Sequence, residues 1–132
     1  MCLFRKIIAH INATFRIRSR YRQNKNQIMK NTFLEAIQEK KQITVMFNSK
    51  SKGKITRQCI PFDFGPSRRK NLEVNPDRYH MYDLDSPDGK HTLGITEDQV
   101  ISIVKTDINF EPATYVTWSP NWFVARDWGA QS

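Results

Sequence analysis

The sequence predicts a mostly β fold, a small antiparallel barrel preceded by one short helix. Three observations predict it. Several short segments alternate apolar with polar residues, a period of two that is typical of strands buried on one face. The Pro87-Asp88-Gly89 turn indicates a hairpin. Thr32 with Glu35 fits a capping box, which predicts the start of a helix.

The predicted helix runs from Thr32 to about Lys40, and five strands follow it. The second of them contains Pro61, which restricts that position to an edge, a bulge or a break and predicts a sharp bend. A long exposed loop over 65–76 separates the second strand from the third. The predicted strands cover residues 43–48, 55–64, 78–85, 92–95 and 100–106. Ile43, Val45 and Phe47 alternate as in a strand buried on one face, and the core is expected to enclose Ile43 or Val45, together with Leu93, Ile101 and Ile103.

Three regions follow from this pattern: a basic extension over 1–30, a barrel over 31–110 and an aromatic tail over 111–132. The tail spaces its large rings among prolines and a glycine, so we expect an extended segment that packs these rings on the barrel. The rings concerned are Trp118, Trp122, Phe123 and Trp128.

The formal charge of +8 belongs to the N-terminal extension. Residues 1–30 hold eight bases and no Asp or Glu, whereas the rest of the chain is balanced. Phe4, Ile8 and Ile11 recur at helical spacing, and the arginine-rich stretch after Phe15 suggests a solvated linker. Three interpretations stay open: translation begins at Met29, the segment binds nucleic acid or a membrane surface, or it is an organelle presequence.

The two cysteines, Cys2 and Cys59, are too few for a disulfide framework and form no CxxC pair. A reducing, cytoplasmic location is therefore expected. No apolar run approaches the length of a membrane-spanning helix, so integral membrane association is not expected.

A helix followed by five short strands is typical of SH3-like or Sm-like barrels. The individual residues also match a known pattern, with an Ala-Ile pair in the helix, an aromatic at the end of the first strand, and Gly, Arg and Pro leading through the second. These residues are Ala36, Ile37, Ile43, Val45, Phe47, Gly53, Arg57, Pro61, Tyr79, Leu93, Ile95, Gln99, Val100 and Ile103. On them, the stretch from Phe33 to about Phe110 resembles the WYL domain, a bacterial module of transcriptional regulators.

The resemblance implies a ligand-sensing barrel in a regulatory role. It is divergent: where typical members carry ligand-facing arginines on the fourth strand, this chain has Lys90 and His91. Only Tyr79 stands for the tripeptide that names the family. Residues 1–30 are too few and too arginine-dense for the winged helix that usually precedes the domain.

The candidate site combines guanidinium, phenol and imidazole groups on neighbouring strands, which suit a phosphate and a stacked base. Its predicted members are Arg57, Arg78, Tyr79, His80 and His91. His80 and His91 are expected to face each other across the hairpin. The loop residues Arg68, Arg69 and Lys70 add a phosphate-contacting patch.

No catalytic or nucleotide-loop motif occurs, and the histidines show no metal-ligand spacing. Asp83, Asp85 and Asp88 fit turn chemistry better than a calcium loop. We therefore expect no enzyme activity, no cofactor and no metal. The expected partner is single-stranded nucleic acid or a nucleotide. The alternative is a protein that docks on a sheet edge or on the C-terminal aromatics.

Overall fold

A computed structural model describes the backbone of residues 2–132 and the side chains of residues 14–132. One compact unit extends to Lys30 and a second begins at Asn31. Among the described residues, no helix combines the length and the apolar character needed to cross a bilayer. In chain order the elements are α1 (Cys2–Glu39), β1 (Lys41–Ser49), β2 (Gly53–Gly65), β3 (Arg78–Asp83), β4 (Thr92–Thr96), β5 (Val100–Asn109), α2 (Pro112–Tyr115) and a 3-10 turn (Gly129–Gln131).

The first helix begins at Cys2 and not at Thr32, so the predicted capping box is wrong. Thr32 and Glu35 lie in the helix interior, where the preceding turns already supply acceptors for the backbone amides. Lys40 ends the helix with a positive φ of 55°, and its amide donates to the Ile37 carbonyl at 3.4 Å. This left-handed residue turns the chain directly into β1.

The predicted linker after Phe15 is helical as well. Residues 2–39 contain neither glycine nor proline, and Arg, Lys and Gln favour helix, so nothing local ends α1 before Lys40. The side chains of residues 14–25 are exposed, in agreement with the predicted solvation. The apolar stripe at Phe4, Ile8 and Ile11 lies outside the described side chains.

The five strands form one antiparallel sheet in the order β4-β3-β2-β1-β5, which confirms a mostly β fold. From β1 to β4, strands that are adjacent in the sheet are also consecutive in the chain. β5 is the exception, because it pairs with β1. β4 and β5 are the outer strands of this order and do not pair with each other in the described part of the chain, so the predicted closure into a barrel is not confirmed.

Pro61 lies at a β-bulge, as its missing amide predicts. Pro61 is opposite Met81, but Asp63 is opposite His80, so Phe62 is left without a partner on β3. A bulge bends its strand and changes the direction of the side chain next to it. This bend determines where Phe62 points, and Phe62 becomes part of the site described below.

The core lies between the last turns of α1 and the sheet. The Phe33 ring packs edge-on against Tyr79 of β3, with ring centroids 4.9 Å apart. Leu93 and Ile101, predicted for the core, are only half-buried, and Ile101 lies at a register shift of β5, where Ser102 is opposite Met46 and Val100 is opposite Phe47. The fully buried side chains of this core include Phe33, Ala36, Ile37, Ile43, Val45, Cys59, Ile60 and Tyr79.

The C-terminal segment packs its rings on the sheet, as predicted from its spacing of aromatics and prolines. Trp128 is buried, and its indole N–H donates to the Ile37 carbonyl at 2.9 Å. Trp122 contacts both Phe62 and Trp128, at centroid distances of 5.9 Å and 5.6 Å. These contacts hold the tail against the sheet, although the tail contains little regular structure.

Candidate binding cleft

A cleft of about 660 Å³ opens between the ends of β2 and β3, the loop over 66–77 and the C-terminal segment. We call it the aromatic-basic cleft. Its rings are Phe62, Trp118, Trp122 and Phe123, and its basic side chains are Arg68, Arg69 and His80. Apolar rings with a few convergent polar groups are the usual lining of a small-molecule site.

The rings are held by close packing on β2. Phe62, redirected by the bulge, lies 5.6 Å from Trp118 and 5.9 Å from Trp122, measured between centroids. A Cβ atom at Gly65 would overlap the Phe123 ring, so any larger residue at this position of β2 would displace the ring. Trp118 and Phe123 nevertheless keep 49% and 46% of their surface exposed. The cleft therefore presents two partly open rings on a rigid support.

Asp63 connects the C-terminal segment to β2. Its carboxylate accepts hydrogen bonds from the backbone amides of Phe123 at 2.9 Å and Val124 at 3.0 Å. It also lies 3.3 Å from the Arg126 guanidinium, forming an ion pair with almost no exposure. A buried carboxylate needs such donors, because an unpaired buried charge is strongly destabilising.

Arg126 is the cation of this pair and is enclosed by rings. Its guanidinium carbon lies 4.1 Å from the Trp122 centroid and 4.4 Å from the Trp128 centroid. It also donates to the carbonyl groups of Phe62 and Val124. Burial lowers the pKa of Arg126 to about 10, although the nearby carboxylate acts in the opposite direction. The guanidinium therefore supports the cleft from behind and is not available to a ligand.

The structure places two members of the predicted basic loop at the cleft. The Arg68 guanidinium stacks over Phe123, 3.9 Å from the ring centroid, and donates to the Asn121 carbonyl. Arg69 is exposed and lines the cleft. Lys70 is exposed but is not part of the lining. Arg69 is therefore the loop cation best placed to contact a bound anion.

The two predicted histidines do not meet. His80 lies opposite Gly94, and its Nε2 is hydrogen-bonded to the Gly65 carbonyl at 2.9 Å, beside the cleft. His91 instead stacks on Tyr82, with parallel rings 4.5 Å apart. The predicted pairing across the hairpin is wrong because the β3–β4 register aligns Tyr82 with Thr92, one residue after His91.

Arg57 and Tyr79 lie away from the cleft, which corrects the site predicted from them. The Arg57 guanidinium lies 3.5 Å from the Asp83 carboxylate and donates to the Asp85 carbonyl at 3.0 Å. Tyr79 is fully buried, and desolvation, with a smaller effect of Glu97, raises the pKa of its phenol far above the usual value. A fully buried ring offers no face on which a base could stack.

Arg78 is half-buried on β3, opposite Gly65 and Thr96. It alternates with Tyr79 along the strand, so its side chain is on the same face as His80. Its Nε atom is buried and has no hydrogen-bond partner among the described residues. Arg78 therefore belongs to the face of the sheet that carries the cleft, although it does not line the cleft itself.

Sequence reasoning missed Trp118, Ser119 and Asn121 as lining residues. The ring content of the tail predicted that it packs on the sheet, but exposure of individual rings depends on contacts between residues about 60 positions apart, such as Asp63 with Phe123. One signal in the sequence could have indicated an exposed ring. Trp118 lies two residues before Pro120, in a segment too interrupted by prolines to bury every ring.

The described residues contain no group of three or more His, Cys, Asp or Glu side chains that could hold a metal ion. Cys59 is buried in the core, and desolvation together with Asp83 and Asp85 raises the pKa of its thiol. The thiolate, which is the reactive form, is therefore disfavoured at this position.

Comparison with protein-family models, with curated proteins and with solved structures finds no match for this chain. The WYL resemblance thus depends only on the residues quoted for it above.

Proposed function

We propose that this protein is a non-enzymatic binding module that takes up single-stranded nucleic acid or a nucleotide in the aromatic-basic cleft. The observation that carries the proposal is the convergence of the partly exposed Trp118 ring with Arg69 in one cleft. Aromatic rings stack on bases of any sequence, and guanidinium groups bind phosphate through forked donors.

The size and polarity of the cleft support this ligand class. Its volume of about 660 Å³ lies within the usual range of small-molecule sites, roughly 300–1,000 Å³. Ser67, Ser119 and Asn121 add hydroxyl and amide groups around the rings. Such groups can hydrogen-bond to base edges or to sugar hydroxyls. A purely apolar ligand would leave these polar groups without partners.

The same proposal includes four further features. These are membership of the WYL family, closure of the sheet into an SH3-like or Sm-like barrel, a cytoplasmic location and a regulatory role. The residues quoted for the resemblance support the family, the barrel and the regulatory role, and the two cysteines, which form no CxxC pair, support the cytoplasmic location. A module that binds nucleotides without catalytic groups suits a sensor better than an enzyme.

A protein-docking role is the second candidate, and the outer strand β5 favours it. Val104 and Ile108 on this strand are 56% and 55% exposed, and among the described residues β5 pairs with β1 alone. An extended peptide can add to such an edge through backbone hydrogen bonds. The two candidate functions use different surfaces, so substitutions in the cleft and on β5 distinguish between them.

The test is fluorescence anisotropy of a labelled single-stranded hexanucleotide with the full chain. Trp118→Ala should weaken binding by roughly 5- to 150-fold, because loss of one stacking ring costs ~1–3 kcal/mol per base. Arg69→Gln should weaken binding and lower the salt slope by ~0.7, as expected for loss of one phosphate contact to a single strand.

Lys70→Gln is the matched control, since it removes the same charge from the neighbouring loop position outside the cleft. It should change affinity much less than Arg69→Gln does. The proposal fails if Trp118→Ala and Arg69→Gln bind as well as the control. If Val104→Ala loses binding instead, the oligonucleotide binds at β5 and not in the cleft.

A further inference from the structure

The described part of α1 carries a run of positive charge that the proposed function does not use. Within the helical residues 14–28 there are five basic side chains, all exposed, and no acidic residue. None of the five forms an ion pair with another described side chain. We call this set the basic helix segment, and its members are Arg16, Arg18, Arg20, Arg22 and Lys25.

Helical geometry places these charges on two opposite sides. At ~100° per residue, Arg16 and Arg20 lie about 40° apart on one side. Arg18 and Lys25 lie about 20° apart on the other side, with Arg22 within about 60° of both, and the two sides are about 120–180° apart. The alternate spacing of the four arginines would gather them on one face of a strand, but it divides them on a helix.

We propose that the basic helix segment binds double-stranded DNA by lying in the major groove. The two walls of that groove are phosphate backbones, so a helix in it needs cations on both flanks. The major groove of B-form DNA is about 12 Å wide, and a helix with side chains measures about 10–12 Å across. The segment is about 20 Å long, which is enough to follow the groove over several base pairs.

Exposed apolar residues lie between the two flanks. Ile17, Tyr21 and Ile28 fall within about 40° of one another, on a side of the helix that carries no basic residue. In the major groove this side faces the base edges, where apolar side chains contact thymine methyl groups. A membrane surface, which would take up the same apolar side, is the competing outcome of the test below.

The experiment measures affinity of the full chain for a 16-base-pair DNA duplex against salt concentration. The double variant Arg16→Gln/Arg20→Gln removes both charges of one flank, and Arg18→Gln/Lys25→Gln removes two of the three on the other; glutamine keeps a good helix former at each position. Each should flatten the plot of log K against log salt by ~1.8, close to 0.9 per lost phosphate contact. An RNA duplex should bind more weakly, since its major groove is too narrow for a helix.

Lys50→Gln/Lys52→Gln is the matched control, because it removes two exposed charges from the turn between β1 and β2. It should change the slope by less than about 0.5. The proposal is overturned if only one flank matters, if the control has an equal effect, or if the RNA duplex binds equally well. It is also overturned if phosphatidylserine vesicles bind the chain and the duplex does not. Trp118→Ala should leave duplex affinity unchanged, so this result is independent of the cleft.

Discussion

An Arg126→Ala chain is expected to lose about 3–5 kcal/mol of its free energy of unfolding, the usual cost of breaking a buried ion pair by removing one partner. The variant leaves the Asp63 carboxylate buried without its cation. It also removes donors from the carbonyl groups of Phe62 and Val124. Urea denaturation followed by tryptophan fluorescence measures the loss, and the two rings beside Arg126, Trp122 and Trp128, report it directly.

Arg68→Ala is the matched control for this effect, since Arg68 is also a cation stacked on a ring but is exposed. An exposed cation–π contact contributes only about 0.5–1 kcal/mol. Asp63→Ala should be as costly as Arg126→Ala, because it leaves the guanidinium buried and unpaired. A loss below about 1 kcal/mol in Arg126→Ala would show that the pair does not hold the C-terminal segment on β2.

The second large effect is expected at Tyr79. Tyr79→Ala should cost about 3–5 kcal/mol, as truncation of a buried aromatic does. Its ring lies 4.9 Å from both Phe33 and Phe64, so alanine would leave a cavity between α1 and the sheet. The phenol hydroxyl is buried without a hydrogen-bond partner among the described residues. Tyr79→Phe should therefore be neutral or stabilising.

Tyr21→Ala, at an exposed position of α1, controls for removal of a tyrosine and should change stability by no more than about 0.5 kcal/mol. Thermal and urea unfolding of these variants measure the differences. If Tyr79→Phe instead costs more than about 1 kcal/mol, the hydroxyl has a partner such as a buried water. If Tyr79→Ala were as stable as the wild type, the ring would lie outside the core.

The strands were predictable because their signals are local. Ile43, Val45 and Phe47 alternate with polar residues and are buried as expected. Pro61 cannot donate to a ladder, and the bulge follows from that. The start of α1 could not be predicted from Thr32 and Glu35, since the Thr-x-x-Glu pattern of a capping box can also occur inside a longer helix. The absence of glycine and proline before Lys40 was the better signal.

The candidate site was predictable only in part. The basic loop was correctly placed on the surface, and Arg69 reaches the cleft. The buried face of β3 could not be predicted. This strand carries a tyrosine on each face, Tyr79 and Tyr82, and alternation alone does not say which face lies in the core. The rings of the cleft come from the tail, whose position depends on the long-range pair of Asp63 and Arg126.

The most direct test of the cleft is a titration of the ¹⁵N-labelled full chain with a single-stranded hexanucleotide, observed at the three indole N–H signals. Trp118 lines the cleft and is half-exposed, so its signal should shift most. Trp128 donates to the Ile37 carbonyl in the core and serves as an internal control whose signal should stay in place. An unchanged Trp118 signal at saturating oligonucleotide, or equal shifts of all three indoles, would contradict binding in the aromatic-basic cleft.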